Sequence, residues 1–176
     1  MRKRLKTGLV QCYYGRGKGK TTAAIGQGFR ASGHGFKVMM IQFLKGDTRY
    51  GEIEAIKANP NFDIKQFGTK HLIEVPGDID YEEGRKGLEF AKEILTNDEY
   101  DIVILDEIGV AVQMEIVDVE DVLKLIDIKP EKVELVITGG QKIHPKIKMR
   151  ADLITEMKMI KHYYSEGINA RYGIEY

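Results

Sequence analysis

Tryptophan is absent from the 176 residues, and cysteine occurs once, at Cys12. A single thiol excludes an internal disulfide, so nothing marks the chain for an oxidising compartment and a cytoplasmic location is expected. An excess of charge of either sign is missing as well, since 27 Lys plus Arg balance 27 Asp plus Glu. Without an overall basic field, neither nucleic acid nor an anionic membrane surface is an expected partner, and any phosphate binding has to be local. Long apolar runs are lacking too: no stretch approaches the roughly 20 residues that a membrane-spanning helix needs. The basic start Met1-Arg2-Lys3-Arg4-Leu5-Lys6 leads into an apolar run that ends at a Gly-rich segment near Tyr14, too short for an export signal. Internal repeats, low-complexity tracts and linker-like segments are likewise absent, which predicts a single domain over residues 1–176.

What the chain does contain is an alternation of two patterns. Apolar runs rich in Val and Ile span Gly8 to Tyr13, Lys37 to Phe43, Phe62 to Phe67, Asp101 to Leu105 and Val133 to Thr138, and read as strands. Ile102-Val103-Ile104-Leu105 does not alternate with polar residues, as expected of a strand covered on both faces in a parallel sheet. Between the runs, helices are expected over Thr21 to Ser32, Gly51 to Ala58, Tyr81 to Leu95 and Val119 to Ile126. In the third of these, Leu88, Ala91 and Leu95 share one face, which is to cover the sheet. Gly33-His34-Gly35 and Asn59-Pro60-Asn61 supply the stops for the first two helices. Alternating strand and helix predicts an α/β protein with an open, mostly parallel sheet and flanking helices.

The first strand runs into Gly15-Arg16-Gly17-Lys18-Gly19-Lys20-Thr21, followed by a helix. A glycine-rich turn at a helix N-terminus offers backbone N–H groups and a favourable dipole to a polyphosphate. Lys20 can reach phosphate oxygens as a point charge, Lys18 adds a second cation, and the Thr21 hydroxyl can ligate magnesium. The loop departs from the standard spacing: five positions before Gly19 stands Tyr14, whereas Gly15 lies four before, so the usual cleavage chemistry is not implied. Asp106 and Glu107 follow the most buried-looking strand, at the end where ligands collect in open α/β sheets. One carboxylate would bind magnesium directly or through water, and the other would complete the shell or activate a water. The residues alone do not separate these roles.

Beyond the loop, Gly19 to Gly26 with Thr22, then Arg30-Ala31-Ser32-Gly33-His34-Gly35 and Gln42-Phe43-Leu44-Lys45-Gly46, form a distinctive series. Leu105-Asp106-Glu107-Ile108, Thr138-Gly139, Ala151 to Met157, Lys161-His162 and Gly173-Ile174-Glu175-Tyr176 continue it in order. The series resembles the P-loop family of corrinoid adenosyltransferases, which act on cob(I)yrinic acid a,c-diamide and cob(I)alamin. The resemblance implies a RecA-like fold and a homodimer. It further implies a reaction in which Co(I) of a reduced corrinoid attacks the 5′ carbon of ATP, expelling triphosphate, with ATP held in the reverse of the usual sense. Carried over by position, Gly15 to Thr22 hold the triphosphate, Thr21, Asp106 and Glu107 hold magnesium or manganese, and Lys20 and Glu107 are catalytic. Arg30 is expected near the nucleotide or the corrinoid, and a flavoprotein is the candidate reductant.

Some features depart from the family pattern. A Phe-Thr-Trp segment that meets the corrinoid in enterobacterial members is replaced here by Phe67-Gly68-Thr69-Lys70-His71, and the Arg that often follows Thr-Gly is Gly140. Phe67 reads first as a core strand residue and second as an aromatic wall. His71 reads as a solvated loop residue, His162 either as a phosphate contact or as a local cap, and Met149, Met157 and Met159 as fillers of core gaps. Two other functions fit a P-loop: an ATPase or phosphotransferase in which Glu107 positions a water or acceptor, and a nucleotide sensor without turnover.

Overall fold

The computed structural model describes residues 4–47 and 49–176, so Met1 to Lys3 of the basic start lie outside it. Six strands form one sheet: β1 (Val10–Tyr14), β2 (Val38–Phe43), β3 (Phe62–Phe67), β4 (Ile102–Asp106), β5 (Glu134–Thr138) and β6 (Leu153–Glu156). Their order is β3-β2-β4-β5-β1-β6 and every pairing is parallel. The helices are α1 (Lys20–Ser32), α2 (Gly51–Lys57), α3 (Asp78–Asn97), α4 (Ile108–Gln113), α5 (Val119–Ile128) and α6 (Pro145–Arg150), with a 3₁₀ turn at Tyr163–Glu166. This open parallel α/β sheet with flanking helices has the RecA-like P-loop architecture.

Side chains of a strand alternate between faces, and both faces of the central strands β2 and β4 are buried along their whole length. Ile102 and Ile104 of β4 join Tyr13, Met40 and Val136 under Ala24 and Ala31 of α1, with Ile56 of α2 in the same layer. Val103 and Leu105 join Cys12, Ile41 and Ile137 on the other face, under Ala91 and Leu95 of α3, Val122 and Leu125 of α5, and Ile147 of α6. Burial on both faces accounts for the unbroken run Ile102 to Leu105, and each fully buried aliphatic side chain contributes about 1.5–3 kcal/mol. The predicted strands and long helices all occur, with shifts of one to three residues at most of their ends. The α1 stop has its left-handed residue at Gly35 (φ +80) rather than at Gly33, which remains helical.

Besides the 3₁₀ turn, three elements have no counterpart in the sequence reading. β6 is exposed along its whole length, so its four residues lack the apolar run that marks a buried strand. α4 and α6 have six residues each, too short for a helical period to show. The expectation for the methionines needs correction: Met149 is 83% exposed and Met159 37% exposed, so neither fills a core gap. Met149 stands on the outer side of α6, whose Ile147 faces the core, and Met159 lies in the segment that follows β6.

Cys12 lies on β1 under the covered face, and burial pushes its thiol up to about 11, with Lys148 pulling weakly the other way. Iodoacetamide at about pH 8 is expected to leave Cys12 unmodified in the folded protein and to alkylate it once guanidinium unfolds the chain. Rapid labelling of the native protein would contradict this placement.

Candidate active site

Because all strands run parallel, Tyr14, Phe43, Asp106 and Thr138 end at one edge of the sheet, the edge where open α/β folds collect ligands. The loop from Gly15 to Gly19 leaves β1 there and enters α1. Gly15 and Gly19 adopt φ of +118 and +117, values that L side chains rarely reach. A Cβ on Gly15 would also stand 2.4 Å from the Met157 carbonyl oxygen, so glycine is required twice over at this position. The Gly15 N–H donates to the Gly140 carbonyl (2.8 Å) and the Gly17 N–H to the Met157 carbonyl (2.6 Å). These two amides therefore anchor the loop. The N–H groups that a helix leaves without an internal acceptor are those of its first turn, here Lys20, Thr21 and Thr22.

Lys20 bends back over the loop, its ammonium donating to the Gly15 (3.0 Å) and Gly17 (2.9 Å) carbonyls. Thr21, one residue on, donates its hydroxyl to Asp106 Oδ1 at 2.8 Å. Asp106 is fully buried and receives three further donors: Thr138 Oγ1 (2.9 Å) on Oδ1, and Gln42 Nε2 (3.1 Å) and Lys45 Nζ (2.8 Å) on Oδ2. A carboxylate offers about four lone-pair sites, so these donors saturate it. Its charge is held by Lys45, and its geometry fixes the Thr21 hydroxyl.

Glu107 follows in a left-handed conformation (φ +62), uncommon for a residue with a side chain, which turns it out of β4. The turn is held by Thr138, whose hydroxyl accepts the Glu107 N–H at 2.7 Å. Burial pushes the Glu107 carboxyl above the usual range and Asp106 adds to the shift, while Lys45 and Lys20 oppose it. Burial pulls the Lys45 ammonium down, yet Asp106, Glu107 and Glu52 together hold it above the ordinary amine value.

Two cavities open at this edge. The first, of about 400 Å³, is bounded by Lys18 to Thr22 and Ile25 on the loop side, by Lys45, Tyr50, Glu52 and Glu107 opposite, and by Gly173 to Tyr176 above. The second, of about 350 Å³, is lined by Leu44, Ile73, Val110 and Met114 together with Lys45, Asp47, Tyr50, Lys70, His71 and Glu107. Leu72, which also lines it, and Val75, three residues further on, are 90% and 84% exposed. Lys45, Tyr50 and Glu107 line both cavities.

Of the predicted residues, Lys18, Gly19, Lys20, Thr21, Thr22 and Glu107 face the first cavity, and Asp106 stands directly behind Thr21. Gly15 and Gly17 are buried in the base of the loop, and Arg16 is exposed away from the cavity lining. Arg30 is not brought to the site: it occupies the last turn of α1, about 15 Å along the helix from Lys20. Phe67 is a core residue, buried against Phe90 with ring centroids 5.5 Å apart. His162 caps the 3₁₀ turn, its Nδ1 accepting the Tyr164 N–H at 3.1 Å.

The tail and Lys45 were present in the sequence series without a role. Lys18 Nζ donates to the Ile174 carbonyl (2.9 Å) and lies 3.6 Å from Glu175. Glu175 is in turn clasped by Arg171 and by the Tyr163 hydroxyl, which hold its carboxyl down at about 2. The tail is thereby fastened over the loop. The signal that could have singled out Lys45 was positional, since it follows the carboxyl end of a central parallel strand.

A parallel sheet that gathers a glycine-rich loop, a buried aspartate and two cavities on its carboxyl edge defines an α/β protein of the P-loop class. Within that class the chain belongs to the ATP:corrinoid adenosyltransferase family BtuR/CobO/CobP, whose sequence profile matches residues 6–176. A corrinoid adenosyltransferase of Sinorhizobium sp. is 36% identical over 174 residues, covering 96% of this chain and 80% of its own length. The corrinoid adenosyltransferase of Escherichia coli K12 is 32% identical over 170 residues, with 96% and 86% covered. Corrinoid adenosyltransferase CobA of Salmonella typhimurium LT2 is 31% identical over the same span and shares. The chain is thus an enzyme that transfers an adenosyl group to a corrinoid. Neither the phosphotransferase nor the sensor reading gains support from these relatives. Among the described residues no helix is long and apolar enough to cross a membrane.

Proposed function

We propose that the first cavity holds ATP, with its triphosphate on Lys18 to Thr22, and that the second receives the reduced corrinoid. The observation that carries this reading is the junction between the cavities, where Lys45, Tyr50 and Glu107 line both. The triphosphate end of the first cavity is marked by Lys18, Lys20 and the free first turn of α1. The second cavity has the apolar lining suited to a large, mostly hydrophobic macrocycle, with Leu44, Ile73, Val110 and Met114 in its wall.

Cobalt itself supplies the nucleophile, so the protein contributes binding, orientation and electrostatics rather than a nucleophilic side chain. The α1 N–H groups and Lys20 fix the triphosphate, and Lys20 remains the catalytic cation named from the sequence. Magnesium or manganese fits this site only in part through protein ligands. Among the described residues no group of three or more acidic, His or Cys side chains is gathered, and Mg²⁺ commonly takes one or two protein ligands plus substrate phosphates. Thr21 and Glu107 would hold the ion, which would neutralise phosphate charge, and Asp106 would act through Thr21. The saturation of the Asp106 oxygens supports that division of roles. Residues 1–176 are read as one domain acting as a cytoplasmic homodimer, with electrons for cobalt supplied by a flavoprotein.

Incubation with ATP, magnesium and a chemically reduced corrinoid is expected to yield intact triphosphate and a light-sensitive adenosylated corrinoid in equal amounts. Release of ADP and orthophosphate instead would overturn the reading.

A further inference from the structure

We propose that Lys45 is a further catalytic residue, whose ammonium receives the triphosphate at the point where it separates from the adenosyl carbon. This rests on the assignment of the two cavities to nucleotide and corrinoid. Lys18 and Lys20 line the first cavity alone and Lys70 the second alone, whereas Lys45 lines both. It is therefore the lysine that stands on the boundary the transferred group must cross.

Its position is fixed from three sides. Leu44 bends the chain at the end of β2 with φ +60, rare for a leucine. Gly68, at the end of β3, comes so close that a Cβ there would lie 2.5 Å from the backbone nitrogen of Lys45. The ammonium itself is paired with buried Asp106 at 2.8 Å, yet the side chain keeps 18% exposure, so one side is anchored and the other open. A cation held in this way needs no reorganisation when charge develops beside it.

In the transfer, the electron pair of Co(I) forms the cobalt–carbon bond while the bond between C5′ and its oxygen breaks. Cobalt becomes Co(III), and the electron pair of the broken bond leaves on triphosphate, which gains one negative charge. That charge appears at the end of the triphosphate facing the corrinoid, on the Lys45 side of the cavity. An interaction that strengthens only as the bond breaks raises kcat and leaves ATP binding little changed.

Lys45→Gln keeps an N–H donor for Asp106 but removes the charge. It is expected to lower kcat about 10²-fold, with the KM for ATP within about threefold of the parent. Titration calorimetry without corrinoid adds a readout that a structural role would not move. The Gln variant is expected to lose more affinity for inorganic tripolyphosphate, which carries the extra charge, than for ATP. A folded Gln variant with kcat within about threefold of the parent, or with equal losses for both ligands, would overturn the proposal. Lys45→Arg preserves the charge and decides the matter should the Gln variant fail to fold. Retention of the parent preference for tripolyphosphate over ATP supports the role, and loss of that preference overturns it. The parent enzyme assayed alongside separates the two levels, because ADP and orthophosphate as its products would defeat the cavity assignment itself, whatever Lys45 does.

Discussion

Lys20→Ala is expected to weaken ATP binding about 10²-fold and to reduce adenosyl transfer at least as much, with little effect on the melting temperature. The affinity loss follows from removing a cation that makes charge-assisted hydrogen bonds to phosphate oxygens. The small stability effect follows from where the ammonium sits, on two carbonyls of a partly exposed loop. That loop is tied down by other means, through the Gly15 and Gly17 amides on Gly140 and Met157 and through glycine conformations at Gly15 and Gly19. Calorimetric titration with Mg-ATP, paired with a thermal melt, checks both halves. Unchanged affinity in the Ala variant would remove the loop from the account.

Asp106→Ala should show the opposite balance, with a large loss of stability. Its carboxylate, at 0% exposure, is the common acceptor for Thr21, Thr138, Gln42 and Lys45. Removing it leaves one ammonium without its partner and three polar groups without their acceptor. Breaking a buried pair from one side costs about 3–5 kcal/mol. In a chain of this length that lowers the melting temperature by on the order of 10 °C. Asp106→Asn keeps an acceptor oxygen for Thr21 and Thr138 and is expected to melt between the parent and the Ala variant. Thermal melts of the three proteins test the order, and an Ala variant as stable as the parent would show that Asp106 does not organise the sheet edge.

The parts of the fold readable from sequence were those where burial imposes a pattern. Ile102 to Leu105 showed both-face burial, and Leu88, Ala91 and Leu95 showed the face of α3 that meets the sheet. β6 was hidden because an exposed edge strand of four residues carries no such pattern, although Ala151 to Met157 had already appeared in the family series. The site divides in the same way. Loop and carboxylates lie where one continuous motif meets one strand end, and the sequence order placed them together. Lys45 and Tyr50 of the β2–α2 connection, Thr138 at the end of β5 and the tail come from three segments far apart in sequence, and no local spacing links the three. Arg30 shows the converse case, a residue close to the loop in sequence that the straight run of α1 carries to its far end. The two carboxylates, inseparable in sequence, differ once the donors around Asp106 and the left-handed turn at Glu107 are known.

A crystal structure with Mg-ATP bound tests the central claim most directly. The account predicts the triphosphate on Lys18 to Thr22, the ion between Thr21 and Glu107, and the 5′ carbon turned toward the cavity walled by Leu44, Val110 and Met114. A γ-phosphate turned toward that cavity, with the adenosine directed away from it, would contradict the account.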